Sequence, residues 1–220
     1  MLRAPIITLA VVVVLGLVLF GVDMAIQRPA ATTAPAPAAT AAPPSPAAPA
    51  PAPAPATAPA PAAFPAQVRY VGDVTSQGAS IPIAVTVDGG KAKAYVCDGH
   101  HVEAWMQGMA ATGAVDGAGR QGNHMTGHLD GAQLTGMVHI NGRPDAPFTA
   151  SPATGQKSGI YRAAGSGRTT GWIVRGDGGQ VGLSRDASGV ETPPAPLPLD
   201  GPLPAGVALV DGSTDVVPAP

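Results

Sequence analysis

The chain has 220 residues, 29 of them glycine and 26 proline, with 12% charged side chains and a net charge of −2. So weak a charge excludes a strongly basic nucleic-acid binder and, equally, an acidic solvating protein. A single cysteine excludes an internal disulfide framework and every multi-cysteine zinc or iron–sulfur site, and no cofactor is expected.

The prolines gather at 29–65 and beyond 191, whereas most glycines and aromatics lie between. This divides the chain into an anchor (1–28), an Ala/Pro linker (29–66), one β domain (67–191) and a Pro-rich tail (192–220). An uncharged apolar run begins at Ile6 and ends at Val22. At 1.5 Å per residue it spans roughly 25 Å, and Ala4 and Pro5 bring it near the hydrocarbon thickness of a bilayer. A cleaved signal peptide competes with an uncleaved signal anchor. The length of the run and the absence of a small-residue cleavage pattern in Asp23-Met24-Ala25-Ile26-Gln27-Arg28 favour the anchor. Arg3 precedes the run while Asp23 and Arg28 nearly cancel after it, so the positive-inside rule places the rest of the chain outside the cytoplasm. The expected location is a single-pass cell-membrane protein with an extracytoplasmic C-terminal domain.

Repeated Pro-Ala, as in Ala50-Pro51-Ala52-Pro53-Ala54-Pro55, removes backbone donors and fixes φ. The linker is therefore expected to be disordered and polyproline-like, reaching roughly 118 Å if fully extended at ~3.1 Å per residue. It serves either to stand a domain off the membrane or as a spacer without selected sequence.

From Val68 the apolar period becomes two. Ile81, Ile83, Val85 and Val87 share one face, and Asp88-Gly89-Gly90 supplies a tight turn. Lys91, Lys93, Tyr95 and Cys97 then oppose Ala92, Ala94 and Val96 on a returning strand. Asp98-Gly99, Asp130-Gly131, Asn141-Gly142 and Asp177-Gly178-Gly179 repeat the turn signal between alternating runs, for about ten strands in all. Short consecutive connections predict an all-β antiparallel meander, closed as a small up-and-down barrel or curled as a sandwich. Tyr70, Tyr95, Trp105, Phe148, Tyr161 and Trp172 fall one per strand and are expected to fill it, with Gly127, Gly136, Gly171 and Gly182 at bulges or barrel corners. Val102, Trp105, Met106 and Met109 also match a helical spacing, but Gly99 and Gly108 favour a strand. Residues 113–122 are the least patterned and are expected to form a loop. The tail is expected to run extended through Pro193–Pro198 and end in a hairpin of 207–210 and 214–217.

Several residues have side chains suited to chemistry. Gly117-Ala118-Gly119-Arg120-Gln121-Gly122 spells G-x-G-x-x-G, yet no helix start follows, so a glycine-rich loop is the better reading. His124 and His128 at i, i+4 lie ~13 Å apart on a strand, too far to share an ion. His101 and Glu103, two apart, would share a strand face at ~6.6 Å and, with His139 from a neighbour, could ligate zinc or copper. Surface polar groups beside a turn are the plainer reading, and no catalytic residue is assigned. Cys97 is either a buried strand thiol or, in an oxidising compartment, a partner in an intermolecular disulfide or a redox-reactive thiol. Lys157, Arg162, Arg168, Arg175 and Arg185 outnumber Asp177 and Asp186, a balance that suits an anionic wall polymer or lipid headgroup as well as a solvated sheet face.

The runs Ala94-Tyr95-Val96-Cys97-Asp98-Gly99, Val102-Glu103-Ala104-Trp105, Ser158-Gly159-Ile160-Tyr161-Arg162-Ala163 and Gly171-Trp172-Ile173-Val174 resemble uncharacterised actinobacterial membrane-anchored envelope proteins with an Ala/Pro-rich linker and a glycine-rich β domain. The similarity covers roughly Val68 to Arg185 and implies a cell-envelope location, with no activity or site to carry over. The leading expectation is a non-catalytic binding or scaffolding domain whose partner is an envelope protein, glycan or lipid. The alternatives are a carrier of an apolar ligand or lipid within a barrel cavity, and an envelope enzyme or metal protein using His101, Glu103 and Cys97.

Overall fold

The computed structural model describes residues 62–217. The apolar run at 6–22 and most of the Ala/Pro linker lie outside the described residues; among those described, no helix is long and apolar enough to cross a membrane.

Eight strands form one antiparallel meander that closes on itself: β1 (Gln67–Ser76), β2 (Ala79–Asp88), β3 (Lys91–Cys97), β4 (Glu103–Ala111), β5 (Ala114–Gly119), β6 (His124–Asp130), β7 (Gln133–His139) and β8 (Ala146–Pro152). An even number of alternating strands leaves the last antiparallel to the first. β8 accordingly pairs β1 from Tyr70↔Pro152 to Val74↔Phe148, and no edge is left open. Turn chemistry sets the register. Gly89 and Gly90 both take positive φ, 57° and 79°, as a two-residue hairpin turn demands, and Val87 then faces Ala92.

Eight strands enclose just enough room for side chains. Ile81, Ile83, Val85 and Val87 point inward as their alternation predicts, joined by Tyr70, Met106, Met125, Leu134, Val138 and Phe148. The Phe148 ring occupies space left by a facing glycine pair, Gly127↔Gly136: a Cβ at Gly136 would come within 2.8 Å of it. Burial on this scale stabilises by about 1.5–3 kcal/mol for each large side chain.

The expectation of a single sheet is corrected at residue 159. A second, five-stranded sheet follows, built from β9 (Gly159–Gly165), β10 (Arg168–Val174), β11 (Gln180–Asp186), β12 (Glu191–Thr192) and β13 (Val207–Leu209) in the order β12-β11-β10-β9-β13. One face of it packs on the outside of the barrel, where Ile160, Ile173 and Leu183 meet Ala84, Tyr95 and Cys97. Tyr95 and Trp105 therefore do not fill the barrel. They lie in the seam between the layers, and Gly171 and Gly182 belong to the second sheet rather than to barrel corners.

The other face of the second sheet is covered by the tail. Leu197 is buried among Tyr161, Trp172 and Val174. The Gln180 side chain accepts from the Leu197 N–H at 2.7 Å and donates to its carbonyl at 3.0 Å, and Trp172 Nε1 donates to the Ala195 carbonyl at 3.0 Å. The division at 191/192 thus falls inside β12. The final hairpin is also corrected: β13 pairs with β9, while 214–217 is not a strand but a segment that seats Val216 in the seam. Residues 113–122, expected as a loop, form β5 and a 3-10 turn, because Val115 is needed in the barrel core. Residues 103–111 are strand, not helix. At the N-terminal boundary Phe64, the one aromatic in the linker, packs edge-on against Tyr70 at 6.2 Å.

Candidate functional site

β4 alternates Ala104 and Met106 inward, so Glu103 and Trp105 face the seam. Trp105 lies opposite Tyr95 in register, and their rings stack at 3.9 Å with planes 22° apart. Both polar tips reach one acceptor: Tyr95 OH and Trp105 Nε1 donate to Glu103 Oε1 at 3.1 and 3.2 Å. The second Glu103 oxygen accepts from Arg185 Nε at 3.1 Å, and its side chain is only 6% exposed. A carboxylate this enclosed persists because each oxygen is bonded. Burial first, then the neighbouring Cys97 and Glu103, push the Tyr95 hydroxyl well above its ordinary range, so it stays a phenol and a donor.

Beside this cluster opens a cleft of about 230 Å³. Its cations come from three separate elements: Arg120 from the 3-10 turn after β5, Arg162 from β9 and Arg185 from β11. They face one carboxylate, Glu103. Arg162 pairs across the sheet with Gly171, a residue with no side chain to obstruct it, and its guanidinium sits 6.0 Å from the centre of the Trp105 ring. Its Nε is buried and has no hydrogen-bond partner. A buried donor left unmade costs about 1–3 kcal/mol. Arg185 is already engaged, bridging Glu103 and Glu191. The C-terminal segment supplies the apolar wall. Gln107 fixes it there, accepting from the Val216 N–H at 3.3 Å and donating to the Val217 carbonyl at 3.5 Å.

The residues singled out in the sequence scatter. His101 is not on a strand: it lies in the turn before β4, where the Asp98 carboxylate accepts from the N–H groups of His100, His101 and Val102 at 2.8, 2.8 and 2.9 Å. Burial would raise the Asp98 carboxyl, but these backbone bonds outweigh it and hold the group below its ordinary range. The shared face proposed for His101 and Glu103 therefore does not exist, since turn chemistry claims the histidine. His139 lies on β7, bonded to Asp145 at 2.6 Å and stacked on His124. His101, Glu103 and His139 are not brought together, and no group of three or more His, Cys, Asp or Glu placed to hold an ion occurs among the described residues. Cys97 is fully buried and accepts weakly from the Gly99 N–H at 3.3 Å; burial foremost pushes its thiol up, so it has little thiolate character. The literal G-x-G-x-x-G ends a strand and enters a 3-10 turn, with no helix to receive a phosphate.

The excess of arginines also divides. Arg168 pairs Asp186 and bonds Ser184, and Arg175 pairs Asp73, while Arg162 and Arg185 turn into the cleft. The cleft itself was missed in the sequence because it joins positions far apart in the chain. No family model, no curated protein and no solved structure matches this chain.

Proposed function

We propose that this protein is a membrane-anchored, extracytoplasmic binding domain of non-catalytic type, which holds an anionic group of an envelope partner in the cleft over Trp105. The observation that carries this reading is the convergence of Arg120, Arg162 and Arg185, from three separate elements, on a cleft whose lining holds one carboxylate, Glu103. Arg185 is balanced by Glu103 and Glu191, so the guanidinium groups of Arg120 and Arg162 beside it favour an anion, and Trp105 favours a ring or apolar stem. A volume of about 230 Å³ is below the ~300–1,000 Å³ that encloses a whole small ligand, so the cleft suits one group of a larger partner. An acidic wall glycan fits this description best. The carrier reading would need an open lumen, whereas the barrel interior is packed with Ile83, Val85, Met106, Met125 and Leu134.

The test uses the full chain in detergent, titrated with a polyuronate and with neutral dextran while tryptophan emission is followed. Saturable binding of the acidic polymer, lost in Arg162→Ala and absent with dextran, supports the reading. Equal binding of both polymers, or binding indifferent to Arg162, overturns it. Protease shaving of intact cells tests the location: digestion of the domain from outside is expected, and full protection refutes it.

A further inference from the structure

On the barrel wall beside the turn that gives Arg120, Gln121 and Asn123 to the cleft, β6 and β7 bring two histidines face to face. Met125 and Val138 point into the core, so their neighbours His124 and His139 point outward. The two are direct cross-strand partners, with ring centres 4.9 Å apart and planes within 21°. The second-atom bonds of each ring decide what the pair can do. His139 Nδ1 bonds Asp145 Oδ1 at 2.6 Å, and His124 Nδ1 bonds the Gly122 carbonyl at 3.2 Å. A carboxylate and a carbonyl only accept, so Nδ1 carries the hydrogen in both rings. Each neutral imidazole then keeps its lone pair on Nε2. Histidine ligands of metals are typically oriented in this way, with the remote nitrogen tied to a carboxylate or backbone carbonyl and the other free to coordinate.

We infer that His124 and His139 form a surface site for a divalent transition ion, with Cu²⁺ preferred over Zn²⁺ and solvent completing the coordination. Metal–imidazole bonds of about 2.0–2.1 Å bridge nitrogens up to about 4 Å apart, so rings stacked with centres 4.9 Å apart must turn out of their near-parallel arrangement for both Nε2 atoms to meet one ion. Two imidazoles with open positions suit copper over zinc, both by the general order of divalent affinities and because zinc favours a third protein ligand. The backbone supports the pair from both sides. The Asn123 side-chain oxygen accepts from the Asn141 N–H at 2.8 Å, so the residue before His124 is tied to the one two beyond His139. Asp145 is 60% exposed and acts as a positioning residue through His139 rather than as a ligand.

Neither histidine lines the cleft, although Asn123, which does, precedes His124. The test is a titration of the full chain with CuCl₂ and, separately, ZnCl₂ against a chromophoric chelator, with electron paramagnetic resonance of the copper form. One equivalent of Cu²⁺ with nitrogen hyperfine structure from two imidazoles is expected. His124→Ala and His139→Ala should each weaken it at least about tenfold, and Asp145→Asn by a smaller factor within the ~10–100-fold typical of such outer groups. His128→Ala and His101→Ala should leave it unchanged, with melting temperatures confirming that all variants fold. Absence of a stoichiometric site, or a site that survives in both His124→Ala and His139→Ala, overturns the inference.

Discussion

Arg175 grips Asp73 with both terminal nitrogens, at 3.0 and 2.8 Å, and so ties the end of β10 to β1 across 102 residues of chain. The fork geometry is the strong form of this contact. The Arg175 bonds foremost, working against burial, hold the Asp73 carboxyl below its ordinary range. The pair therefore contributes stability above about pH 4, the value of an unperturbed carboxylate, and loses it as pH falls through the lower native value. The two side chains are 34% and 35% exposed, so solvent screening limits the contribution to about 1 kcal/mol. Urea melts of the wild type and Asp73→Asn should differ by that amount at pH 7 and converge as pH is lowered towards 2. A gap that stays constant with pH would show that the charge is not what stabilises.

Gly171 is the seat of the aromatic stack. A Cβ there would lie 2.4 Å from Trp105 Cζ2 and 2.6 Å from Tyr95 Cζ, with the second sheet on one side and the barrel on the other. Neither ring can retreat without breaking its bond to Glu103. Gly171→Ala should cost about 2–3 kcal/mol, at the upper end of ordinary overpacking, and alter the near-ultraviolet circular dichroism of the tryptophans. An unshifted urea midpoint would contradict this packing.

Cys97 should behave as a core residue. Its thiol is enclosed by both layers and pushed up by burial, so a disulfide reagent meets it only when the layers part. Labelling of the native protein should be slow and accelerate with denaturant in step with unfolding. Rapid native labelling would restore the reactive-thiol reading.

The barrel half of this architecture was legible because its signals are local. Ile81 to Val87 alternate cleanly, and Asp88-Gly89-Gly90 dictates the hairpin that follows. The second sheet was not legible, because its strands alternate in the same manner as those of the barrel. Nothing within Gly159–Gly165 says that its partners are β10 and β13 rather than β8. The burial of Tyr95 and Cys97 on the face carrying Lys91 and Lys93 was equally hidden, since a face covered by a distant layer reads like one covered by solvent. Phe64 was the overlooked local clue: an aromatic in a Pro/Ala stretch finds a packing partner in Tyr70. The cleft required tertiary knowledge throughout, because Glu103, Arg162 and Arg185 meet only when the second sheet docks.

Glu103 is the one carboxylate among the cleft's cations, and its removal separates structural from binding roles. In Glu103→Gln one side-chain oxygen still accepts from Tyr95 and Trp105, but the new amide N–H₂ faces Arg185 Nε, donor against donor. Stability should fall by about 1–3 kcal/mol, the cost of a buried polar group losing its partner. Anion affinity should move in the opposite direction. With the carboxylate gone, Arg185 keeps only Glu191 and the cleft becomes more positive. A gain of about fivefold is expected, equivalent to the ~1 kcal/mol of one partly exposed charge interaction. Polyuronate titrations of Glu103→Gln beside Arg162→Ala should therefore show one variant binding tighter and the other weaker, although both are less stable than wild type or equal to it. If Glu103→Gln binds more weakly as well, the carboxylate itself contacts the partner and the cleft does not select an anion.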